Sequence, residues 1–201
     1  LVIVDTSGSM TGSTGGATNS CGQAQNRMSD AKCVLQNVVN GYGEINFGLE
    51  RFANSCSGTC SATCSATCGC TCSQTCNTTA SSGQMLVPIV PANQASILRW
   101  NDYTCATCTT TVASNPELSA AGMTPLAGSL RAARRYYEGG DPTFPTSPIA
   151  GDPYRGCRPY AVILLTDGAE TCSGDPPAAA TELRTTTVGA STYDIHTYVI
   201  G

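Results

Sequence analysis

The sequence predicts an α/β domain built on an open, mostly parallel, doubly wound sheet with helices on both faces. Two observations indicate this fold class. Short apolar segments alternate along the chain with segments of helical periodicity, which is the pattern of parallel strands joined by crossover helices. The chain also has 201 residues, 41% of them apolar, which is enough for one domain with one sizeable core.

Five apolar segments are predicted as strands. Two of them are nearly continuous apolar runs, as expected for strands that are covered on both faces. The five segments are residues 1–4 (LVIV), 45–52 (INFGLERF), 86–90 (LVPIV), 160–165 (YAVILL) and 195–200 (IHTYVI).

Three segments between these strands are predicted as helices. Residues 27–39 and 125–138 place apolar side chains at helical spacing, and Pro125 occupies the favoured first position of the second segment. The third helix is predicted from Pro177 to Thr187.

The charge pattern argues against nucleic acid as a partner. The formal net charge is −4, and the basic residues, nine arginines and Lys32, form no stripe that could neutralise phosphates. No apolar run approaches the roughly 18 to 20 residues that a membrane span requires. We therefore expect no membrane span in this chain.

The thirteen cysteines indicate an exported protein, because a reducing cytosol would keep them from pairing. Seven of them lie in residues 56–76, where Ser, Thr and Gly fill the gaps and SATC occurs twice. Residues 53–84 are therefore predicted as a cysteine-rich insertion within the domain. Since the number is odd, one thiol must stay free, bond another chain or pair with a cysteine outside this chain segment.

Two interpretations of these cysteines stay open. A thiophilic metal such as zinc would suit the C-x-C-x-C run from Cys68 to Cys72 and the C-x-x-C of Cys105 and Cys108. Disulfides suit the density of cysteines in an exported domain, and the insertion lacks the paired C-x-x-C hooks of structural zinc sites. We favour disulfides.

Polar residues follow the ends of two predicted strands. Asp5, Ser7 and Ser9 follow the first strand, Asp167 follows the fourth, and Thr124 directly precedes the helix at 125–138. Right-handed connections between parallel strands bring these positions to one rim of the sheet. Hard oxygen ligands that include hydroxyls suit Mg²⁺ or Mn²⁺, whereas Ca²⁺ takes more ligands.

This combination resembles the metal-ion-dependent adhesion site of von Willebrand factor A domains, which have a Rossmann-like fold. The matching motifs are D-x-S-x-S at Asp5, Ser7 and Ser9, Thr124 in G-M-T-P, and Asp167 in T-D-G. Three separate motifs occur in the order that the family has.

The resemblance implies a ligand set and a partner. The residues implied as ligands of the ion are Asp5, Ser7, Ser9 and Thr124. Asp167 would bind the ion directly or through water, and a carboxylate of a partner would fill the last position. The hydroxyls add coordination without charge, so the ion would still attract an external acidic group.

The segment from 124 to 139 and the motif YAVILLTDG further resemble the A domains of bacterial type IV pilus tip adhesins and related secreted surface proteins. The implied function is a metal-ion-dependent adhesion or protein-binding domain, located outside the cell or on its surface in a larger pilus or cell-surface assembly. The resemblance to von Willebrand factor A domains covers nearly the whole chain except the insertion and residues 103–116, and the likeness to the pilus adhesins is narrower. Because the chain starts within the first strand and stops after the fifth, we expect it to be truncated at both ends.

Two other function classes stay open, and neither is enzymatic. One is a thiophilic metal-binding or redox-sensing module built on the insertion, and the other is a structural assembly domain with an unused ion site. Haloacid-dehalogenase-like phosphatases need a second Asp where this chain has Ser7. The sequence has no phosphate-binding G-x-x-x-x-G-K-[ST] loop, and its single histidine, His196, lies in a strand remote from the rim, so a Ser/His triad has no base.

Three expectations concern the surroundings of the site. Cys157 and Cys172 should not pair with each other, because the strand between them holds its ends about 20 Å apart while bridged Cα atoms lie within roughly 7 Å. Cys21 is expected as the partner of Cys172, since both lie near the ion-bearing rim. The polar stretch from Thr11 to Asn26 is predicted as a long loop that covers or shapes the binding face.

Overall fold

The computed structural model of the protein describes residues 1–57, 71–103 and 117–201. In chain order the elements are β1 (Val2–Val4), β2 (Ser13–Thr18), β3 (Ala24–Asn26), α1 (Arg27–Gly41), β4 (Leu49–Phe52), β5 (Asn54–Ser57), β6 (Thr71–Gln74), β7 (Gly83–Val87), α2 (Gln94–Leu98), α3 (Leu126–Tyr137), β8 (Ala161–Leu165), α4 (Pro176–Leu183), β9 (Thr186–Val188), β10 (Ser191–Tyr193) and β11 (His196–Ile200). Two short 3₁₀ helices span Gly8–Thr11 and Ala80–Ser82.

A five-stranded, mostly parallel sheet lies at the centre of the fold. Its strand order is β11–β8–β1–β4–β7, and only β7 runs antiparallel to its neighbour. All five predicted strands belong to this sheet, so the mixed α/β class is confirmed. The second predicted strand is shorter than expected and begins at Leu49, and the third ends at Val87, before Pro88, whose nitrogen has no hydrogen to donate.

Both faces of the sheet are covered by helices. Successive side chains of β1 point to opposite faces, and they belong to two separate clusters of buried residues. Ile3 packs in the cluster that contains residues of α3 and α4, such as Leu130 and Leu183. Val4 packs in the cluster that contains residues of α1 and α2, such as Leu35 and Ile97.

Side-chain caps fix where two of the helices begin. Asn26 accepts a hydrogen bond from the backbone nitrogen of Ser29 at 2.8 Å before α1, and Asp175 accepts one from Ala178 at 3.0 Å before α4. The predicted third helix extended to Thr187, which is wrong. The helix α4 ends at Leu183, because the β-branched residues that follow it form β9 and pair with β10 in a hairpin.

The stretch from Thr11 to Asn26 is not a long loop. Its strands β2 and β3 pair as an antiparallel hairpin, and a disulfide between Cys21 and Cys33 joins this hairpin to α1. The predicted Cys21–Cys172 pair is therefore wrong. A loop and a short hairpin have the same polar composition, and all six residues of β2 are exposed, so no apolar alternation distinguished them.

The second disulfide of the described residues links Cys76 to Cys172, which are 96 positions apart. Cys157 and Cys172 do not pair, as the length of the intervening strand predicted, and Cys157 is exposed and free. These two disulfides are consistent with an oxidising compartment.

Two strands of the cysteine-rich insertion, one near its start and one in its second half, pair to form a two-stranded ribbon. Strands β5 and β6 are antiparallel, with Cys56 opposite Cys72, and the last residues of the predicted insertion already belong to β7. Residues 58–70, and Cys105 and Cys108 with them, lie outside the described residues, so the metal and disulfide interpretations of these cysteines stay predictions there. No helix in the described ranges is long and apolar enough to cross a membrane.

Candidate metal centre

The predicted site begins where two neighbouring strands end. β1 and β8 pair in parallel with Val4 opposite Leu165, and the backbone nitrogen of Asp5 donates to the carbonyl of Leu165 at 2.8 Å. Asp167 follows two residues after the end of β8. The two aspartates therefore leave the sheet side by side at the same rim, as the connections between parallel strands predicted.

Asp5 is fully buried, and both of its carboxylate oxygens have partners. Oδ1 accepts from the backbone nitrogen of Ser7 at 2.7 Å, and Oδ2 accepts from the hydroxyl of Thr166 at 2.6 Å. Burial raises the pKa of Asp5 above its usual value, the hydrogen bonds from Ser7 and Thr166 oppose this shift, and the charge of Asp167 adds to it. A cation beside this carboxylate would favour its ionised form.

Two serine hydroxyls connect this part of the site to the second aspartate. The hydroxyls of Ser7 and Ser9 lie 2.9 Å apart, and Ser9 donates to Oδ1 of Asp167 at 2.7 Å. Ser7 caps the 3₁₀ helix Gly8–Thr11 by position, but its hydroxyl makes no capping hydrogen bond. Its hydroxyl therefore contacts the cluster and does not bond to the backbone of the local turn.

Thr124 reaches the same rim through backbone contacts. Ala121 donates its backbone N–H to the carbonyl of Thr6 at 2.7 Å, and Gly8 donates to the carbonyl of Gly122 at 3.0 Å. These bonds join the segment before α3 to the loop that carries the serines. Thr124 is buried, but no hydrogen bond among the described residues joins its hydroxyl to the other four predicted ligands.

Two residues that follow Asp167 fix the start of α3, and they were not among the residues predicted for the site. Thr171 accepts from the backbone nitrogen of Thr124 at 2.7 Å and donates its own backbone N–H to the carbonyl of Thr124 at 3.1 Å. Glu170 accepts from the backbone nitrogen of Ala127 at 2.8 Å and from that of Cys172 at 2.7 Å. Glu170 could have been predicted as a residue of the site, because it is a glutamate close to the T-D-G motif.

Arg27 is a further residue of the site that sequence reasoning missed. Its guanidinium forms an ion pair with Oδ2 of Asp167, and the same nitrogen donates to the carbonyl of Ser9 at 3.4 Å. Arg27 is the first residue of α1 and directly follows the hairpin. No motif marks this arginine, because its position depends on a hairpin that was predicted as a loop.

The donor set fits a hard divalent cation. It consists of carboxylate and hydroxyl oxygens, with no thiol or imidazole hydrogen-bonded to them within the described residues. Across the described part of the chain, no three His, Cys, Asp or Glu side chains form a group that could hold a metal ion. The candidate centre contains two carboxylates, and its other donors are hydroxyls.

Comparisons of the chain with profiles of known protein families, with curated proteins and with solved structures gave no match.

Proposed function

We propose that the protein is a metal-ion-dependent adhesion or protein-binding domain of the von Willebrand factor A type. The observation that carries this proposal is the continuous cluster formed by Asp5, Ser7, Ser9 and Asp167, in which each hydroxyl is within hydrogen-bond distance of the next group. These are four of the five residues of the motif, and the fifth, Thr124, belongs to a segment bonded to the same loop.

The strand order supports a ligand site at this place. From β1 the chain proceeds to β4 and β7 on one side of the sheet, and it later reaches β8 and β11 on the other side. The order therefore reverses between β1 and β8. In open α/β sheets such a reversal leaves a crevice outside the carboxyl ends of the two strands, and ligands bind there. Asp5 and Asp167 follow the two strands on either side of this reversal, which also favours the doubly wound arrangement.

Each residue of the cluster has a separate task in this proposal. Asp5 provides a buried negative charge for Mg²⁺ or Mn²⁺, and Ser7, Ser9 and Thr124 provide neutral oxygens. Asp167 holds Ser9 and adds a second negative charge at the rim. The bound ion supplies an attraction for a carboxylate of a protein or surface ligand.

The proposed location of the protein rests on its disulfides. A domain that is held by disulfide bonds is suited to an oxidising compartment, and adhesion places it outside the cell or on its surface. We propose a binding domain rather than an enzyme, which would present its ion to partners within a larger pilus or cell-surface assembly.

Metal binding tests the proposal directly. We expect calorimetry to show one Mn²⁺ or Mg²⁺ bound per chain. Ser9→Ala should weaken this binding at least about tenfold, because it removes a ligand and its link to Asp167. Ser13→Ala is the matched control, since among the described residues the hydroxyl of Ser13 only accepts from the backbone nitrogen of Gly15.

Partner binding is tested with a defined probe. Beads that carry a peptide with a single glutamate should capture the Mg²⁺-loaded chain, and beads with the glutamine version should not. Addition of EDTA should release the chain. A wild-type protein that binds neither Mg²⁺ nor Mn²⁺ would overturn the proposal, and capture that is unaffected by EDTA would overturn the role of the ion in adhesion.

A further inference from the structure

Arg27 contributes a positive charge at the rim of the candidate metal centre. Its guanidinium pairs with Oδ2 of Asp167 and donates to the carbonyl of Ser9 at 3.4 Å. The side chain is 44% exposed, whereas that of Asp167 is 10% exposed. The arginine therefore covers one side of the second aspartate and still presents part of its guanidinium to solvent.

The beginning of helix α1 does not require this side chain. Asn26 caps the helix, and the backbone nitrogen of Arg27 donates to the carbonyl of Gly12 at 3.0 Å. The guanidinium lies over Gly12, where a Cβ atom would come within 3.3 Å of Cζ. In the described part of the chain, the side-chain hydrogen bonds of Arg27 go only to Ser9 and Asp167.

The charges of the site then differ from those of two carboxylates alone. Asp5 and Asp167 contribute two negative charges and Arg27 contributes one positive charge, so these three residues together carry one negative charge without metal. A divalent ion brings the total to one positive charge, which an incoming carboxylate neutralises. Without the arginine, the loaded site would be neutral before any partner arrived, and its attraction for a carboxylate would be weaker.

We propose that Arg27 is a specificity-determining residue of this site, which lowers its affinity for the divalent ion and raises the affinity of the ion-loaded site for carboxylates. This inference rests on the proposed function. The guanidinium pairs with Asp167 at the rim and stays partly exposed, so a carboxylate that approached an ion held at this rim would also meet a group that pairs strongly with carboxylates.

The two effects have opposite signs, and both can be measured. A divalent ion and a unit charge roughly 6 Å apart in a water-like dielectric repel each other enough to change ion affinity about tenfold. An arginine and a carboxylate at roughly 4 Å under the same screening attract each other enough to change carboxylate affinity about fivefold. Arg27→Gln should therefore bind Mn²⁺ about tenfold more tightly and, once loaded, bind acetate about fivefold more weakly.

The experiment uses Mn²⁺ alone and then acetate as probes. Calorimetry gives the Mn²⁺ affinity, and the relaxation rate of water protons reports acetate that displaces water from the bound Mn²⁺. Acetamide is the neutral counterpart of acetate and should show no dependence on Arg27. Thermal unfolding of each variant without metal confirms that the fold is intact.

Two further variants separate charge from other causes. Arg184→Gln removes one positive charge at the opposite end of the sheet, where Arg184 pairs with Asp194 just before β11, and it should change neither affinity. Arg27→Lys keeps the charge and should keep the Mn²⁺ affinity within about twofold of wild type. It also tests the inference if Arg27→Gln does not fold.

The outcomes distinguish the inference from the proposed function. A wild-type protein that does not bind Mn²⁺ would overturn both. If wild type binds Mn²⁺ and Arg27→Gln leaves both affinities unchanged, or shifts both in the same direction, the role of Arg27 is refuted while the metal centre stands. An Arg27→Lys variant whose Mn²⁺ affinity rises as much as that of Arg27→Gln would also refute it.

Discussion

Replacing Asp5 by Asn separates the role of its charge from its role in the fold. The backbone nitrogen of Ser7 donates to Oδ1 of Asp5, and an amide oxygen can accept that bond equally well. The hydroxyl of Thr166 donates to Oδ2, and it can instead accept from the new amide group. Asp5→Asn therefore keeps the shape and the hydrogen bonds of the buried group and removes only its negative charge.

The expected effects on stability differ with and without metal. In the folded state burial raises the pKa of Asp5 above 3.8, so stability from this group is fully present below pH 3.8 and is lost as the pH rises through the folded-state value. Each unit of such a shift costs about 1.4 kcal/mol at higher pH. Without metal at pH 7, Asp5→Asn should therefore be at least as stable as wild type.

Saturating Mg²⁺ should reverse this order. An ion at 100 times its dissociation constant stabilises the folded state by about 2.7 kcal/mol. For a chain of this length, 1 kcal/mol corresponds to roughly 2–4 °C in melting temperature, so wild type should gain roughly 5–11 °C. Asp5→Asn should gain almost nothing, because the buried charge that holds the ion is gone.

Thermal unfolding at pH 7 with EDTA and with a Mg²⁺ series measures both effects. Asp194→Asn is the matched control, since Asp194 is exposed and pairs with Arg184 before β11, away from the metal centre. It should keep the full Mg²⁺-dependent gain. An Asp5→Asn variant that gains as much from Mg²⁺ as wild type would refute the assignment of Asp5 as the main charged ligand.

Three further predictions concern residues around the site. Glu50 is fully buried, neither carboxylate oxygen has a hydrogen-bond partner among the described residues, and burial followed by the charge of Asp141 raises its pKa well above 4.5. Wild type should therefore lose stability as the pH rises above 4.5, and Glu50→Gln should be more stable by at least about 1 kcal/mol in urea unfolding at pH 8; equal stability there would contradict this. Lys32 and Glu117 form a buried ion pair, so Glu117→Gln should cost about 3–5 kcal/mol in the same assay, and adding Lys32→Met should recover part of that loss; a double variant less stable than the single one would argue against it. Replacing both Cys76 and Cys172 by Ser removes their disulfide and should lower the unfolding free energy by about 2–5 kcal/mol. It should also speed amide exchange in the first turn of α3. Unchanged exchange there would show that the disulfide does not hold this turn.

The central sheet and the two aspartates could be predicted from sequence because each depends on local patterns. β1 and β8 are apolar runs that end in an aspartate, and parallel strands place their ends at one rim whatever the exact sheet order. The antiparallel direction of β7 was not predicted, since a strand's own residues do not encode the direction of its neighbour. α2 was missed because its five residues are too few to show helical periodicity.

The parts of the site that escaped prediction depend on contacts between distant residues. Arg27 reaches Asp167 across 140 positions, and it does so because the hairpin β2–β3 places the start of α1 at the rim. Cys76 meets Cys172 across 96 positions, and cysteine spacing alone does not encode pairing when thirteen cysteines are present. The Cys21–Cys172 pair was predicted only because both residues were expected at the same rim. Cys33 in α1 is closer to Cys21 along the chain and is its actual partner.

The two serines explain how the rim can hold two carboxylates. Asp5 is buried and the charge of Asp167 raises its pKa further, so direct contact between the two would be costly without a cation. The hydroxyls of Ser7 and Ser9 stand between them, 2.9 Å apart, and Ser9 donates to Asp167 at 2.7 Å. A third carboxylate in place of either serine would increase the repulsion without metal, and with Arg27 it would leave the loaded site neutral. In the proposed metal centre, repulsion between carboxylates before an ion binds and attraction for a partner's carboxylate afterwards would therefore both favour two aspartates and neutral hydroxyls at this rim.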